Sequence, residues 1–220
     1  MTINTKTYNL ITFWYTIKKS KNEVNMKRKI FILHEIYGVN EFIKMQAEAY
    51  SNANTTVECI SLYKDDRIFP YEQEQEAYEY FINEVGFDAP LDKLSEKILE
   101  ARTHFDEVLL IGFSVGATLA WRLSTLPLQG IVCVYGSRIR QYLDAIPSCP
   151  TLVILPSHEK SFNVHELMET LDTLPAVHTR QYLGQHGFMD FNNSNYNHGS
   201  FLQSQAEISQ FFEIKKVKED

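Results

Sequence analysis

The sequence predicts an α/β fold with a mainly parallel sheet flanked by helices. Two observations carry this. Short apolar runs recur along the chain, as at Lys29–Leu33, Val108–Ile111 and Thr151–Leu155. Between them lie stretches whose apolar residues fall at helical spacing. Strands buried on both faces read as continuous apolar runs, and helical crossovers keep successive strands parallel.

Taken in order, Lys29–Leu33 is the first strong strand and Val39–Ala53 a helix. Thr56–Leu62 is the next strand. Pro70–Val85, rich in Glu, Gln and Tyr, reads as a polar surface helix. Leu91–Phe105 is a clearer amphipathic helix, with Leu91, Leu94, Ile98, Ala101 and Phe105 on one stripe. Glu107–Ile111 leads into a glycine-flanked turn. Gly130–Tyr135 and Thr151–Leu155 are further buried strands, and Val164–Leu174 is a helix that stops before Pro175. Val177–Leu183 is the last strand, a Gly/Asn-rich loop spans Gly184–Gly199, and Phe201–Ile214 closes as a helix.

The 220 residues suit one domain with a single large core. No linker or internal repeat divides them. Residues 1–25 stand apart as an N-terminal extension, with residues 26–220 as the domain proper. Either Leu10–Lys18 adds an edge strand, or the extension is loosely attached and Met26 opens the functional part.

An apolar fraction of 44% with 22% charged residues is that of a soluble globular protein. The net charge of −7, without a Lys/Arg cluster, argues against a nucleic-acid partner. No run reaches the roughly 18–20 apolar residues of a membrane helix. Leu10–Ile17 is too short and too interrupted for a signal-peptide core, and no small-residue cleavage site follows it. The three cysteines, Cys59, Cys133 and Cys149, show no zinc spacing. They fit a reducing, cytoplasmic setting. The sequence carries no signal for oligomeric state.

Chemistry is concentrated at Gly112-Phe113-Ser114-Val115-Gly116, a G-x-S-x-G elbow between a strand and a helix. Such a turn leaves no room for side chains two residues either side of the nucleophile, hence the glycines. A serine needs an imidazole to take its proton and a carboxylate to hold that imidazole. In this type of fold the partners follow in the order serine, acid, histidine. His186 lies in a glycine-flanked loop just after a strand, whereas His178 is within a strand, His165 on a helix and His198 in the Asn-rich segment. The acid should follow Thr151–Leu155, which selects Glu159 over Asp144 and Asp172. The blander reading of Glu159 is a solvated loop acid beside Lys160. Backbone N–H groups of Val115 and Ile36 are the expected oxyanion donors.

These segments resemble the dienelactone hydrolase family of α/β-hydrolases. The resemblance rests on His34-Glu35-Ile36-Tyr37-Gly38-Val39-Asn40, the elbow, and His186-Gly187-Phe188-Met189, and spans Met26 to the C-terminal helix. It implies a minimal α/β-hydrolase fold without a large cap domain. It also implies that Glu35 approaches the nucleophile and bears on its protonation state.

Three departures stand out. The family's name-giving enzymes use cysteine where this chain has Ser114, and their triad acid is usually aspartate rather than Glu159. Their substrate-binding arginine four residues after the histidine is replaced by Asp190, and acids occupy Tyr71–Glu76 where another arginine would be sought. The resemblance therefore implies the reaction class and argues against a dienelactone substrate.

The leading expectation is a serine hydrolase acting on a small ester, thioester or lactone through an acyl-enzyme, with no cofactor, metal, nucleic acid or membrane required. Tyr37, Tyr63 and Phe188 are expected to shape its substrate pocket. The alternative is a non-catalytic α/β-hydrolase domain that binds a ligand or partner. A nucleotide-binding protein is disfavoured, because the elbow lacks a P-loop lysine and no G-x-G-x-x-G follows the first strand.

Overall fold

The computed structural model of the protein describes residues 26–212. The expected edge strand at Leu10–Lys18, and the end of the last helix at Ile214, lie outside them. Six strands form one all-parallel sheet: β1 (Arg28–Leu33), β2 (Thr55–Ile60), β3 (Glu107–Phe113), β4 (Gly130–Val134), β5 (Thr151–Pro156) and β6 (Val177–Tyr182), in the spatial order β2-β1-β3-β4-β5-β6. Six helices connect or flank them: α1 (Glu41–Tyr50), α2 (Glu74–Tyr80), α3 (Ala89–Ala101), α4 (Val115–Arg122), α5 (Val164–Leu171) and α6 (His198–Phe211). This is the minimal α/β-hydrolase architecture, and no cap domain interrupts it among the described residues.

The two-residue period of the strands sorts the core into two layers. Phe31, Leu33, Val108, Leu110, Ile131, Cys133, Val153 and Leu155 face α3, α4 and α5. Ile30, Ile32, Leu109, Ile111, Val132, Val134, Leu152 and Ile154 face α1 and α6. Each such side chain, fully buried, stabilises the fold by roughly 1.5–3 kcal/mol before entropy is counted. The strand order reverses direction beside β1, and the C-terminal strand ends there open onto a crevice, where open α/β sheets place their ligands.

Local chemistry explains most element boundaries. The Asn40 side chain accepts the Ile43 N–H and starts α1. Asn163 and Asn197 cap α5 and α6 in the same way. The α5 helix ends at Leu171, three residues before the expected end at Leu174, because the Thr173 and Leu174 amides turn back in tight bonds to Thr170 and Leu171.

The segment read as one polar surface helix, Pro70–Val85, differs most from expectation. It is a 3₁₀ turn at Tyr71–Gln73, the short helix α2, and a π-turn at Phe81–Val85 that ends at Gly86. Its inner side is buried: Ala77 and Phe81 pack with Tyr37, Tyr63, Phe69 and Val115 in a third cluster. That cluster seats the segment over the C-terminal ends of β1 and β3.

Candidate active site

The turn at Ser114 is built from backbone close approach. Ser114 has φ 53° and ψ −113°, a strained conformation for a residue with a side chain. A Cβ on Gly112 would lie 2.2 Å from the Gly116 carbonyl oxygen. One on Gly116 would lie 2.5 Å from the carbonyl oxygen of Leu33 and 2.6 Å from that of His34. The elbow glycines therefore press α4 against the end of β1 and bring the His34 loop to the serine.

Ser114 and His186 meet across the sheet. The Ser114 hydroxyl donates to His186 Nε2 at 2.8 Å, and His186 Nδ1–H donates to Glu159 Oε1 at 2.8 Å. The Glu159 side chain is only 6% exposed, so its charge is presented to the imidazole rather than to water. Two extensions of the β5–β6 ladder set this geometry. Ser157 N–H donates to the Tyr182 carbonyl and His158 N–H to the Gly184 carbonyl, which zips together the loops carrying Glu159 and His186. Asn195 Nδ2 holds the His186 carbonyl at 2.9 Å, and the Tyr135 ring packs against the imidazole with centroids 5.1 Å apart. Burial lowers the pKa of His186, but the hydrogen bond and charge of Glu159, with Glu35 and Glu74, outweigh it and leave it raised above 6.5.

A second group of polar side chains lies beside this triad. Glu35 is 3% exposed, and its Oε1 accepts the Tyr135 hydroxyl at 2.6 Å. Asp190 is fully buried and accepts the Tyr71 hydroxyl and the Asn192 N–H. Asn40 Nδ2 in turn donates to Tyr71 at 2.8 Å. Burial, and the neighbouring charge of Asp190, push the Glu35 carboxyl up to about 7. Tyr135 holds its position with φ 41°, an unusual backbone for a tyrosine.

Ser114, His186, Glu159, Glu35, Ile36, Val115 and Tyr37 all line one cavity of about 300 Å³. Its wall also carries Ser137, Arg138, Lys160, Gln185 and Asn193, giving a polar rather than greasy lining. The other two aromatic residues expected there lie elsewhere. Phe188 is fully buried, edge-on to Tyr135 in the core layer beside α6. Tyr63 lines a separate cavity of about 240 Å³ with Leu62, Tyr80 and Leu94, and its hydroxyl donates to the Ile36 carbonyl at 2.5 Å. Each ring turns inward to pack against other aromatics, Tyr63 on Phe69 and Tyr80 and Phe188 on Tyr135.

Sequence reasoning did not single out Tyr135 or Tyr71. Tyr135 stands 100 residues from Glu35 and Tyr71 stands 119 from Asp190, so no local pattern joins them. Asp190 itself was marked only as the replacement of an arginine.

A parallel sheet of this order, with a strained serine on the β3–α4 turn and a histidine after the last strand, defines an α/β-hydrolase. Comparison with known proteins narrows the class. The chain belongs to the dienelactone hydrolase family, whose family model matches residues 15–215, and it is a hydrolase. It is 33% identical over 188 residues to the uncharacterized protein YczH of Bacillus subtilis, covering 83% of this chain and 91% of that one. Among solved structures it resembles a candidate dienelactone hydrolase from Klebsiella pneumoniae (TM-score 0.71, 17% identity, 89% and 90% of the two chains). It also resembles a dienelactone hydrolase-like promiscuous phosphotriesterase from metagenomic libraries (TM-score 0.67, 16% identity, 88% and 89%). These two likenesses speak for the fold. Among the described residues no helix is long and apolar enough to cross a membrane.

Proposed function

We propose that the protein is a serine hydrolase that cleaves a small ester, thioester or lactone through an acyl-enzyme intermediate. The observation that carries this reading is the continuous hydrogen-bond chain Ser114–His186–Glu159, with 2.8 Å at each link, opening into the polar cavity. Ser114 Oγ attacks the carbonyl carbon while His186 Nε2 takes the hydroxyl proton. Glu159 holds Nδ1–H and stabilises the imidazolium that forms. The oxyanion is received by the amides of Val115 and Ile36. His186 then delivers its proton to the leaving oxygen or sulfur, and water, activated by the same imidazole, releases the acyl group.

Glu35 takes a different role from a thiol-activating carboxylate. A serine hydroxyl is too weak an acid to be ionised by a carboxylate, and the proton path to His186 is already short. With its Oε1 held by Tyr135, Glu35 lines the cavity as a polar group that orients substrate. Asp190, buried and bonded to Tyr71, stands where the dienelactone-cleaving members carry an arginine, so the site lacks that cation and the cations on its wall are Arg138 and Lys160.

The test is turnover of a panel of p-nitrophenyl esters, thioesters and simple lactones by the wild-type chain and Ser114→Ala. An aryl phosphotriester belongs in the panel, given the activity named for the metagenomic neighbour. Hydrolysis of at least one carbonyl substrate that vanishes in Ser114→Ala supports the reading. Equal rates in both proteins would sink it.

A further inference from the structure

His34 is a fully buried histidine that the hydrolytic scheme leaves unused. Its two ring nitrogens have different partners, and the partners settle its tautomer. Leu62 N–H lies 2.8 Å from Nε2. A backbone amide only donates, so Nε2 is the bare nitrogen. The proton of the neutral ring is then on Nδ1, which donates to the Glu35 carbonyl oxygen in a short contact. Burial pushes the imidazole down to about 4, the Glu35 carbonyl resisting only in part, so the ring stays neutral through the physiological range.

The Glu35 carbonyl and the Ile36 N–H belong to one trans peptide group and point in opposite directions. The carbonyl also accepts the Gly38 N–H at 3.4 Å, so His34 is the nearer of its two donors, and fixing the carbonyl fixes the amide. Tyr63 fixes the next peptide group by donating to the Ile36 carbonyl, and its ring stands edge-on to His34 with centroids 4.9 Å apart. Phe69 N–H holds the Tyr37 carbonyl at 3.0 Å. Among the described residues the Ile36 and Val115 amides take no acceptor, and both residues line the cavity with Ser114.

We propose that His34 is a positioning residue for the oxyanion hole: its Nδ1–H clamps the Glu35–Ile36 peptide so that the Ile36 N–H stays aimed at the developing oxyanion. The inference rests on the reading of Ile36 as an oxyanion donor. It adds a device by which this chain preorganises that donor, from a strand-end side chain tied on its far side to the backbone after β2. An amide that need not reorient during reaction is worth more to the transition state than to the ground state.

The experiment compares p-nitrophenyl acetate hydrolysis by wild type, Ser114→Ala, His34→Leu and His34→Asn, together with ¹⁵N NMR of histidine-labelled wild type. His34→Leu removes the clamp and is expected to lower kcat about 100-fold, the order seen when an oxyanion donor is lost, with KM changed by less than about threefold. His34→Asn carries an amide nitrogen one bond from Cγ, as Nδ1 is, and is expected to recover kcat about tenfold over His34→Leu. The NMR spectrum should show Nδ1 protonated and Nε2 bare, without titration at neutral pH.

A folded His34→Leu that keeps kcat within about twofold overturns the inference, as does an Nε2–H tautomer. If His34→Leu fails to fold, the wild-type tautomer decides. Loss of turnover in Ser114→Ala with an unaffected His34→Leu refutes the clamp alone, whereas turnover surviving in Ser114→Ala removes the hydrolytic reading and the clamp with it.

Discussion

His186 lines the cavity that holds Ser114, whereas His34 is fully buried and does not reach it, and their surroundings drive the two imidazoles apart. His186 follows β6 on a glycine-flanked loop, with one nitrogen on the Ser114 hydroxyl and the other on Glu159. The surrounding acids hold its pKa above 6.5. His34 directly follows β1 and both its nitrogens meet backbone: it accepts from Leu62, donates to Glu35, and is pushed down to about 4 by burial. One imidazole is placed to accept and return a proton, whereas the other is kept from doing so. The same side chain serves as a base where a carboxylate faces it and as a fixed strut where peptide groups face it.

The comparison breaks most visibly at His186. Replacing it with alanine removes the base hydrogen-bonded to Ser114 and should cut kcat/KM by at least about 10⁴-fold, whereas His34→Leu should cost the smaller factor of a lost donor. Steady-state ester hydrolysis by the two variants checks the ranking. Equal losses would mean that the two rings do not divide the work as described.

Next in size is Glu159→Gln. The variant keeps the side-chain shape but removes the charge, so kcat should fall by up to about 10⁴-fold. The acid limb of the pH profile gives a sharper reading. In the proposed mechanism the base is neutral His186, so activity should rise with pH through a pKa above 6.5 in the wild type. Without Glu159 that limb should move to lower pH, because the principal contributions raising the pKa are gone. A limb that stays in place would detach Glu159 from His186.

The smallest effects are on stability. Glu35 is raised from 4.5 to about 7, so the native state holds its proton where the unfolded chain has lost it. Stability from this group is present below about 4.5 and is lost as pH rises through about 7. Glu35→Gln should therefore stabilise the protein at pH 8 relative to its effect at pH 4.5, by on the order of 2 kcal/mol in urea unfolding. His34 has the opposite slope: its pKa is depressed to about 4, so its stabilising neutral state is lost as pH falls from 6.5 through 4. His34→Asn should flatten that acid decline and leave the alkaline side unchanged.

The fold class was legible because its strands are apolar runs with clear breaks, and their alternation with helices implies a parallel sheet; the strand order was not read from it. Ser114, His186 and Glu159 could be chosen because each follows a strand in a fixed chain order, and the loops after β5 and β6 bring the last two together. The Pro70–Val85 segment misled, since its Glu, Gln and Tyr residues hide a buried stripe of only Ala77 and Phe81. Tyr135, Tyr71 and Asp190 were beyond local pattern for another reason: their hydrogen bonds join residues about a hundred positions apart, and Tyr135 reaches Glu35 from a left-handed backbone conformation. Tyr63 and Phe188 were assigned to the pocket by their loop positions, yet the direction of a ring is set by its packing partners, which sequence does not display.

Covalent labelling reads out whether Ser114 is a nucleophile activated by His186. Wild type, Ser114→Ala and His186→Ala are incubated with a fluorophosphonate probe and analysed by intact mass and peptide mapping. The expected result is a single adduct on Ser114 in the wild type, absent from Ser114→Ala and strongly slowed in His186→Ala. Folded wild-type protein that takes no label at Ser114, or labels equally fast without His186, would contradict it.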